Sequence, residues 1–236
     1  MKRHRLGQHY LVDQELIRRV VSLADIRPSD RVLEIGTGRG ALTKELADLG
    51  ASYLGYEIDR ANFDETSGLV RGSRSRVVLG DAFEGRPDFD VLVSSLPYSK
   101  SAAFVKWLSG IEFRRAIVVL QEDFARKITA PPGSRDYRGI SALSQICFDV
   151  KMLDRVPRAA FAPQPRVGSV IVAFSPRRRV SDTEVANVIR LFSLRRRLVG
   201  SALAELGMKG AGSFGTRRVN SLRPHEVHLL CAPKPG

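Results

Sequence analysis

The stretch RVLEIGTGRGALT, residues 31–43, decides the fold class of this chain. Its apolar start, RVLEI, predicts a buried strand, and the helical pattern of ALTKELADLG follows. Between the two, Gly36 and Gly38 predict a tight turn that lets the backbone approach a ligand closely. A strand, a glycine turn and a helix in this order are typical of the first unit of a ligand-binding parallel α/β sheet.

Strands and helices continue to alternate on both sides of this turn. Strands are predicted in SYLGYEI, RVVLGD, FDVLVSS and RRAIVVLQ, and helices in QELIRRVVSLA, which Asp13 caps, and in SAAFVKWLSG. EDFARKI and ISALSQICFDV are then predicted as helices, and KMLDRVP and SVIVAFSP as the last strands. This alternation indicates a parallel sheet with helices on both faces. The composition changes at SPRRR, so we expect a first domain over residues 1–176 and a small, basic helical domain over residues 177–236.

The charge of the chain points to an anionic partner. The formal net charge is +13 over 236 residues, which favours nucleic acid over an anionic membrane. No apolar segment follows KRHR at the N-terminus, and the apolar runs have only strand length. We therefore expect a cytoplasmic protein without membrane attachment. Two cysteines, Cys147 and Cys231, indicate neither a disulfide scaffold nor a metal cluster.

Two classes of ligand fit the glycine turn. Gly36, Gly38 and Ala41 match a dinucleotide fingerprint, with Glu57 at the distance of a ribose-binding acid. Glu34, however, lies just ahead of the glycines, where a carboxylate would repel a pyrophosphate. S-adenosylmethionine (SAM) has no phosphate, and its sulfonium and ammonium groups are cationic. The sequence therefore favours SAM, although a turn without any ligand would need the same glycines.

Two further carboxylates follow predicted strands. Glu57 ends the second strand, where it can accept hydrogen bonds from both ribose hydroxyls, and Asp81 follows the third, where it can accept from the adenine amino group. Either acid alone could equally cap a helix. The carboxyl ends of parallel strands meet at one edge of a sheet, and ligands bind there. Together with Glu34 and Gly36, the two acids therefore predict a SAM site.

Six motifs along the chain resemble those of one family. They are GQHYL (7–11), LEIGTGRGALT (33–43), YEID (56–59), GDAF (80–83), SLPY (95–98) and FAPQPRVGS (161–169). In this order they resemble the ribosomal RNA adenine N6-dimethyltransferases of the KsgA type, with the erythromycin-resistance methyltransferases as a sister branch. The resemblance extends from residue 6 to about residue 206.

This resemblance implies a Rossmann-like SAM-dependent methyltransferase sheet with a small helical C-terminal domain that binds RNA. It also implies an enzyme that methylates adenine N6 in small-subunit ribosomal RNA, within a pre-ribosomal particle, and we expect a monomer that needs no metal. The target base would lie against Tyr98. With the acids and glycines discussed above, the cofactor-binding residues are expected to be His9, Leu11, Glu34, Gly36, Gly38, Glu57, Asp81 and Ser95.

The chemistry of adenine N6 explains the SLPY motif. The lone pair of this nitrogen is delocalised into the ring, so catalysis depends mainly on positioning. The Ser95 side chain and the Leu96 carbonyl can accept the two N6 hydrogens, Pro97 stiffens the turn, and Tyr98 offers a stacking face for a base taken out of its helix. We therefore expect these four residues to form the catalytic turn.

Two departures from the family pattern bear on activity. The family usually has asparagine where this chain has Ser95, and GQNFL where it has His9 and Tyr10. A serine keeps an acceptor on a shorter stem. Three outcomes stay open: a working enzyme, an enzyme with lower activity or an altered number of methyl groups, and a catalytically weak ribosome-assembly factor that binds RNA. A methyltransferase of small molecules fits the basic composition less well.

Arginine clusters and one histidine motif remain. The arginines at 177–179 and 195–197 favour phosphate contacts over a merely solvated face, because guanidinium binds phosphate in bidentate fashion. We therefore expect Arg177, Arg178, Arg179, Arg195, Arg196 and Arg197 to bind RNA. HEVH, residues 225–228, resembles a zinc motif only weakly, because its histidines are three residues apart where a metalloprotease helix needs four.

Overall fold

The computed structural model describes residues 9–70, 74–208, 210 and 212–233. The first two residues of the GQHYL motif therefore lie outside the described part. The strands are β1 (Tyr10–Leu11), β2 (Arg31–Ile35), β3 (Ser52–Glu57), β4 (Ser75–Leu79), β5 (Val91–Ser95), β6 (Arg115–Gln121), β7 (Phe148–Val156), β8 (Phe161–Ala162) and β9 (Ser169–Pro176). The α-helices are α1 (Gln14–Leu23), α2 (Ala41–Ala47), α3 (Arg60–Ser67), α4 (Ser101–Leu108), α5 (Glu122–Ile128), α6 (Gly139–Cys147), α7 (Asp182–Ser193), α8 (Val199–Glu205) and α9 (Pro224–Cys231).

A seven-stranded sheet forms the centre of the α/β fold, with the strand order β4-β3-β2-β5-β6-β9-β7. Neighbouring strands from β4 to β6 are parallel, whereas β9 runs antiparallel to β6. Glu34 of β2 pairs with Gly55 of β3 and with Val93 of β5. The predicted α/β class with a Rossmann-like sheet is thus confirmed, and the strand order places the carboxyl ends of β2, β3 and β5 side by side.

The side chains of β2 explain why it lies in the middle of the sheet. All its residues from Val32 to Ile35 are buried, as expected for a strand covered on both faces. Helix α1 begins as predicted, because the Asp13 side chain accepts hydrogen bonds from the backbone N–H groups of Glu15 and Leu16. The predicted strand and helix on either side of the glycine turn are therefore both present.

One predicted helix is shorter than expected. ISALSQICFDV is helical only as far as Cys147, and Phe148 already belongs to β7. Phe148 has extended backbone angles, φ −137° and ψ 152°. A β-branched valine and a phenylalanine favour the strand at this position, where the helical periodicity of the preceding residues ends. The strand predicted from Lys151 consequently begins three residues earlier.

The chain divides into two compact units. The described residues of the first fall within Met1–Ser101, Glu112–Asp123 and Lys151–Ser175, and those of the second within Ala102–Ile111, Phe124–Val150 and Pro176–Gly236. In the second unit, α6, α7 and α9 pack against one another. The Tyr137 and Phe192 rings meet there edge to face, with centroids 5.3 Å apart. The domain boundary at residue 176 stays a prediction from composition.

Within the described residues, no helix combines the length and apolar character needed to span a bilayer. Both cysteines are buried free thiols.

Candidate active site

A cleft at the carboxyl ends of the parallel strands brings the predicted residues together. Its lining includes the whole predicted cofactor-binding and catalytic set: His9, Leu11, Glu34, Gly36, Gly38, Glu57, Asp81, Ser95, Leu96, Pro97 and Tyr98. All of these residues belong to the first unit. The topology explains the convergence, because residues that follow neighbouring parallel strands meet at one edge of the sheet.

The glycine turn requires its glycines. Gly36 has a φ of +77° and Gly38 a φ of +53°, both in the left-handed region. A Cβ atom at Gly38 would also lie 3.1 Å from Cδ1 of Tyr10. The Gly36 N–H donates to the Tyr56 carbonyl oxygen at 2.8 Å, and the Gly38 N–H donates to Oε2 of Glu57 at 2.8 Å. Both donors of the turn are thus used inside the protein.

Glu57 holds the turn and also faces the cleft. Its side chain is 3% exposed, and Oε1 accepts a second backbone N–H, that of Asp59, at 2.8 Å. A pyrophosphate would need free N–H donors at this turn. Because Gly36 and Gly38 donate elsewhere and a carboxylate lies beside them, the site does not suit a dinucleotide. Each carboxylate oxygen can accept more than one hydrogen bond, so Glu57 fits the ribose hydroxyls of SAM.

Glu34 is more deeply buried than its position beside the glycine turn predicts. It is 1% exposed, and its Oε2 accepts hydrogen bonds from the Tyr53 hydroxyl at 2.5 Å and the Thr43 hydroxyl at 2.8 Å. Burial raises the pKa of the Glu34 carboxyl to about 7. Its charge is therefore only partial at neutral pH, and Glu57 is the stronger reason for excluding a pyrophosphate. A direct role of Glu34 at the cofactor stays a prediction.

Asp81 has a partner, Lys100, that the sequence motifs did not predict. Its Oδ1 accepts the backbone N–H of Phe83 at 2.9 Å, which caps a short 3₁₀ turn at 82–84. Its Oδ2 lies 3.4 Å from Nζ of Lys100, and Lys100 also lines the cleft. The only sequence signal for this pair was a lysine two residues beyond SLPY.

Two adjacent serines at the end of β5, Ser94 and Ser95, lie in different environments. Ser94 is buried, and its hydroxyl donates to the Ile35 carbonyl oxygen at 2.6 Å, which ties β5 to β2. Ser95 is partly exposed and lines the cleft. Of the two serines, only Ser95 is therefore placed to meet a substrate.

Tyr98 is held on two sides. Its hydroxyl lies 2.6 Å from the Ser169 hydroxyl, and burial raises its pKa. The His9 ring lies 5.9 Å from the Tyr98 ring, tilted by 31°, and His9 Nδ1 donates to the Pro163 carbonyl oxygen at 2.8 Å. Both Ser169 and Pro163 belong to the FAPQPRVGS motif, so this distant motif orients the aromatic ring. The sequence marked the motif but not this contact.

The six predicted RNA-binding arginines all belong to the second unit. Arg197 forms an ion pair with Glu205 at 2.9 Å. In contrast, desolvation and then the charges of Arg138 and Arg196 lower the pKa of Arg195. Arg195, Arg196 and Arg138 thus form a patch of like charge, which favours a bound anion.

The Rossmann-like sheet and the acid-lined, phosphate-excluding cleft define a SAM-dependent methyltransferase. The proline–tyrosine turn beside the cofactor cleft is suited to a planar base.

Comparison with known proteins gives the family. The family model described as ribosomal RNA adenine dimethylase matches residues 1–221 of this chain. A probable ribosomal RNA small subunit methyltransferase A of Pyrococcus abyssi is 33% identical over 237 residues, covering 94% of this chain and 88% of the relative. The chain belongs to the ribosomal RNA adenine dimethylase family, as the motifs predicted.

Two solved structures are similar over nearly the whole chain. The 23S rRNA methyltransferase ErmE has a TM-score of 0.65 at 27% identity, covering 94% of this chain and 97% of that one. A dimethyladenosine transferase from Plasmodium falciparum has a TM-score of 0.80 at 23% identity, covering 94% and 96%, a likeness that concerns the fold.

Proposed function

We propose that this enzyme transfers methyl groups from SAM to N6 of adenines in small-subunit ribosomal RNA, within a pre-ribosomal particle in the cytoplasm. The observation that carries the proposal is the convergence of Glu57, Asp81 and the SLPY turn in one cleft. Family membership and the small-subunit methyltransferase of Pyrococcus abyssi support the RNA class.

In this proposal the first domain holds the cofactor. Glu57 accepts hydrogen bonds from the ribose hydroxyls. Asp81 accepts a hydrogen bond from the adenine amino group of SAM, either after Lys100 moves away from Asp81 Oδ2 or while Lys100 still contacts it. The remaining cofactor contacts come from His9, Leu11, Glu34, Gly36, Gly38 and Ser95. When bound, SAM supplies an electrophilic methyl carbon. The acids that face its cationic and hydroxyl groups make the cleft selective without any phosphate contact.

The catalytic turn positions the target adenine. Ser95 Oγ and the Leu96 carbonyl oxygen accept the N6 hydrogens, which favours a pyramidal nitrogen with an available lone pair. Pro97 limits the motion of the turn. Tyr98 stacks on the base, and its ring is oriented beforehand by the Ser169 hydroxyl at 2.6 Å. Positioning of this kind supplies much of the reduction in the activation free energy of methyl transfer.

The second domain, residues 177–236, binds RNA in this proposal. The arginines at 177–179 and 195–197 contact backbone phosphates. In this proposal the active form is a monomer.

A methylation assay tests the proposal. The protein is incubated with radiolabelled SAM and small subunits that lack the modification, and the RNA is digested to nucleosides. Labelled N6-methyladenosine or N6,N6-dimethyladenosine is expected. The matched control is Tyr98→Ala, which we expect to bind SAM normally and to yield no labelled adenosine. Label in any other nucleoside, or equal label from the control, contradicts the proposal.

Ser95 favours a second candidate, a ribosome-assembly factor with little catalysis, because its stem is shorter than that of the family's asparagine. The same experiment separates the two. Tight binding of the small subunit without labelled adenosine supports the assembly factor.

A further inference from the structure

A second cavity lies within the second unit. It has a volume of about 450 Å³. Its walls come from α6, from the segment that follows β9, and from the first turns of α9. The described lining residues are Gln145, Ile146, Arg177, Arg178, Pro224, His225 and His228, and they include no carboxylate. A cavity with cationic walls and no acid at its surface is suited to an anion.

The backbone of the two arginines is anchored. The N–H groups of Arg177 and Arg178 both donate to the Cys147 carbonyl oxygen, at 2.7 and 3.1 Å. Arg177 also lies 3.3 Å from Asp149, an exposed pair that contributes little. Among the described residues, Arg178 has no acidic partner within ion-pair distance. Its guanidinium is therefore available to an anion in the cavity, on a segment that is already held in place.

The HEVH motif forms another wall of this cavity, and its residues have separate partners. Glu226 accepts hydrogen bonds from Arg217 at 2.9 Å and Arg223 at 3.0 Å, and these pairs lower its pKa to about 2. His228 Nδ1 lies 2.5 Å from Glu184 Oε1. In the described part of the chain, no group of three or more His, Cys, Asp or Glu side chains is placed to hold a metal ion. His225 is exposed at the cavity and can donate a hydrogen bond.

We propose that this cavity binds a backbone phosphate of RNA, with Arg178, Arg177 and His225 as the donors. The inference rests on the proposed RNA-binding function of the second domain and deepens it by naming the pocket. A guanidinium donates two parallel hydrogen bonds to the oxygens of a phosphate. An arginine on a flat surface lacks the further donors that the cavity walls supply. The net charge of +13 favours a polyanion over an isolated anionic metabolite.

Binding of a fluorescent uridine dodecamer, followed by anisotropy over a salt series, tests the proposal. Oligouridine contains no adenine, so its affinity does not depend on methylation. Arg178→Gln should weaken binding about five-fold at low salt and reduce the slope of log affinity against log salt by about 0.7, the value for one single-strand phosphate contact. The matched control, Arg190→Gln, removes the same charge from an exposed residue of α7 that neither lines the cavity nor belongs to the arginines predicted to bind RNA.

Two more variants keep the test decisive. Arg178→Lys retains the charge without the guanidinium fork and should recover only part of the affinity. His225→Gln probes the opposite wall and should also weaken binding. Calorimetric SAM affinity, a property of the first unit, should stay unchanged in every variant. An unchanged thermal unfolding profile of the full chain shows that the second unit still folds.

The proposal is overturned if Arg178→Gln and Arg190→Gln weaken oligouridine binding equally. It is also overturned if oligoglutamate of equal charge binds the wild type as tightly as oligouridine does and loses the same affinity in Arg178→Gln. The cavity would then be a site for acidic peptides. Failure of the methylation assay alone leaves the oligouridine result intact, so the two failures are distinguishable.

Discussion

The cleft of the first unit and the basic cavity of the second unit are suited to their proposed ligands by different physical means. In the cleft, the buried carboxylate of Glu57 is held by the backbone N–H groups of Gly38 and Asp59. In the cavity, exposed guanidinium and imidazole groups line a volume that is open to solvent. Buried groups are little screened by salt, and exposed charges are strongly screened. The cleft therefore selects by geometry, and the cavity by charge.

This difference predicts that substitutions in one region leave the other ligand unaffected. The largest expected effect is on SAM. Glu57→Ala removes the two proposed ribose contacts, each worth about 1.5–3 kcal/mol, and releases the Gly38 N–H. We expect SAM affinity to fall by at least about a hundred-fold, with almost no dependence on salt. Isothermal titration calorimetry at two salt concentrations measures this.

The control for Glu57 is Glu15→Ala, which removes the same charge from an exposed site on α1. It should change SAM affinity by less than about two-fold. Oligouridine affinity should be the same in both variants. If Glu57→Ala binds SAM normally, the acid serves the turn alone and the comparison between the two regions fails.

An intermediate effect is expected on RNA. Arg195→Gln should weaken oligouridine binding about five-fold and flatten its salt dependence, because Arg195 lies among like charges. Arg197→Gln, with the same charge change, should have a smaller effect, since Glu205 already occupies the Arg197 guanidinium at 2.9 Å. Anisotropy titrations compare the two. Equal effects would mean that net charge alone governs RNA binding.

The smallest effect concerns Ser95, which lines the cleft and is proposed to contact the target base. A hydroxyl on a short stem leaves room for water near N6, and alignment should suffer most in the second transfer, when one hydrogen remains to anchor the nitrogen. We expect Ser95→Asn to raise turnover and the ratio of dimethyl- to monomethyladenosine by about two- to three-fold, with little change in SAM affinity. A time course by mass spectrometry measures both products. A slower variant with an unchanged ratio would show that the protein has adapted to serine.

The sequence predicted the cleft well because each of its residues follows a strand in a recognisable order. Glu34 and Glu57 could be placed at the sheet edge from their strands alone. The Tyr53 hydroxyl that meets Glu34 could not, because it depends on Gly55, where a Cβ atom would lie 2.6 Å from that hydroxyl. Likewise, the cavity unites residues from positions 145, 178 and 225, and no local pattern signals such a contact.

The double attachment of Glu57 has a consequence for hydrogen exchange. The amide hydrogens of Gly38 and Asp59 are held by the same carboxylate, which lines the cleft, so they exchange with solvent only when that carboxylate releases them. A ligand that holds the carboxylate in place lowers the frequency of release. The protection of these two backbone amides thus reports how long the cleft stays filled.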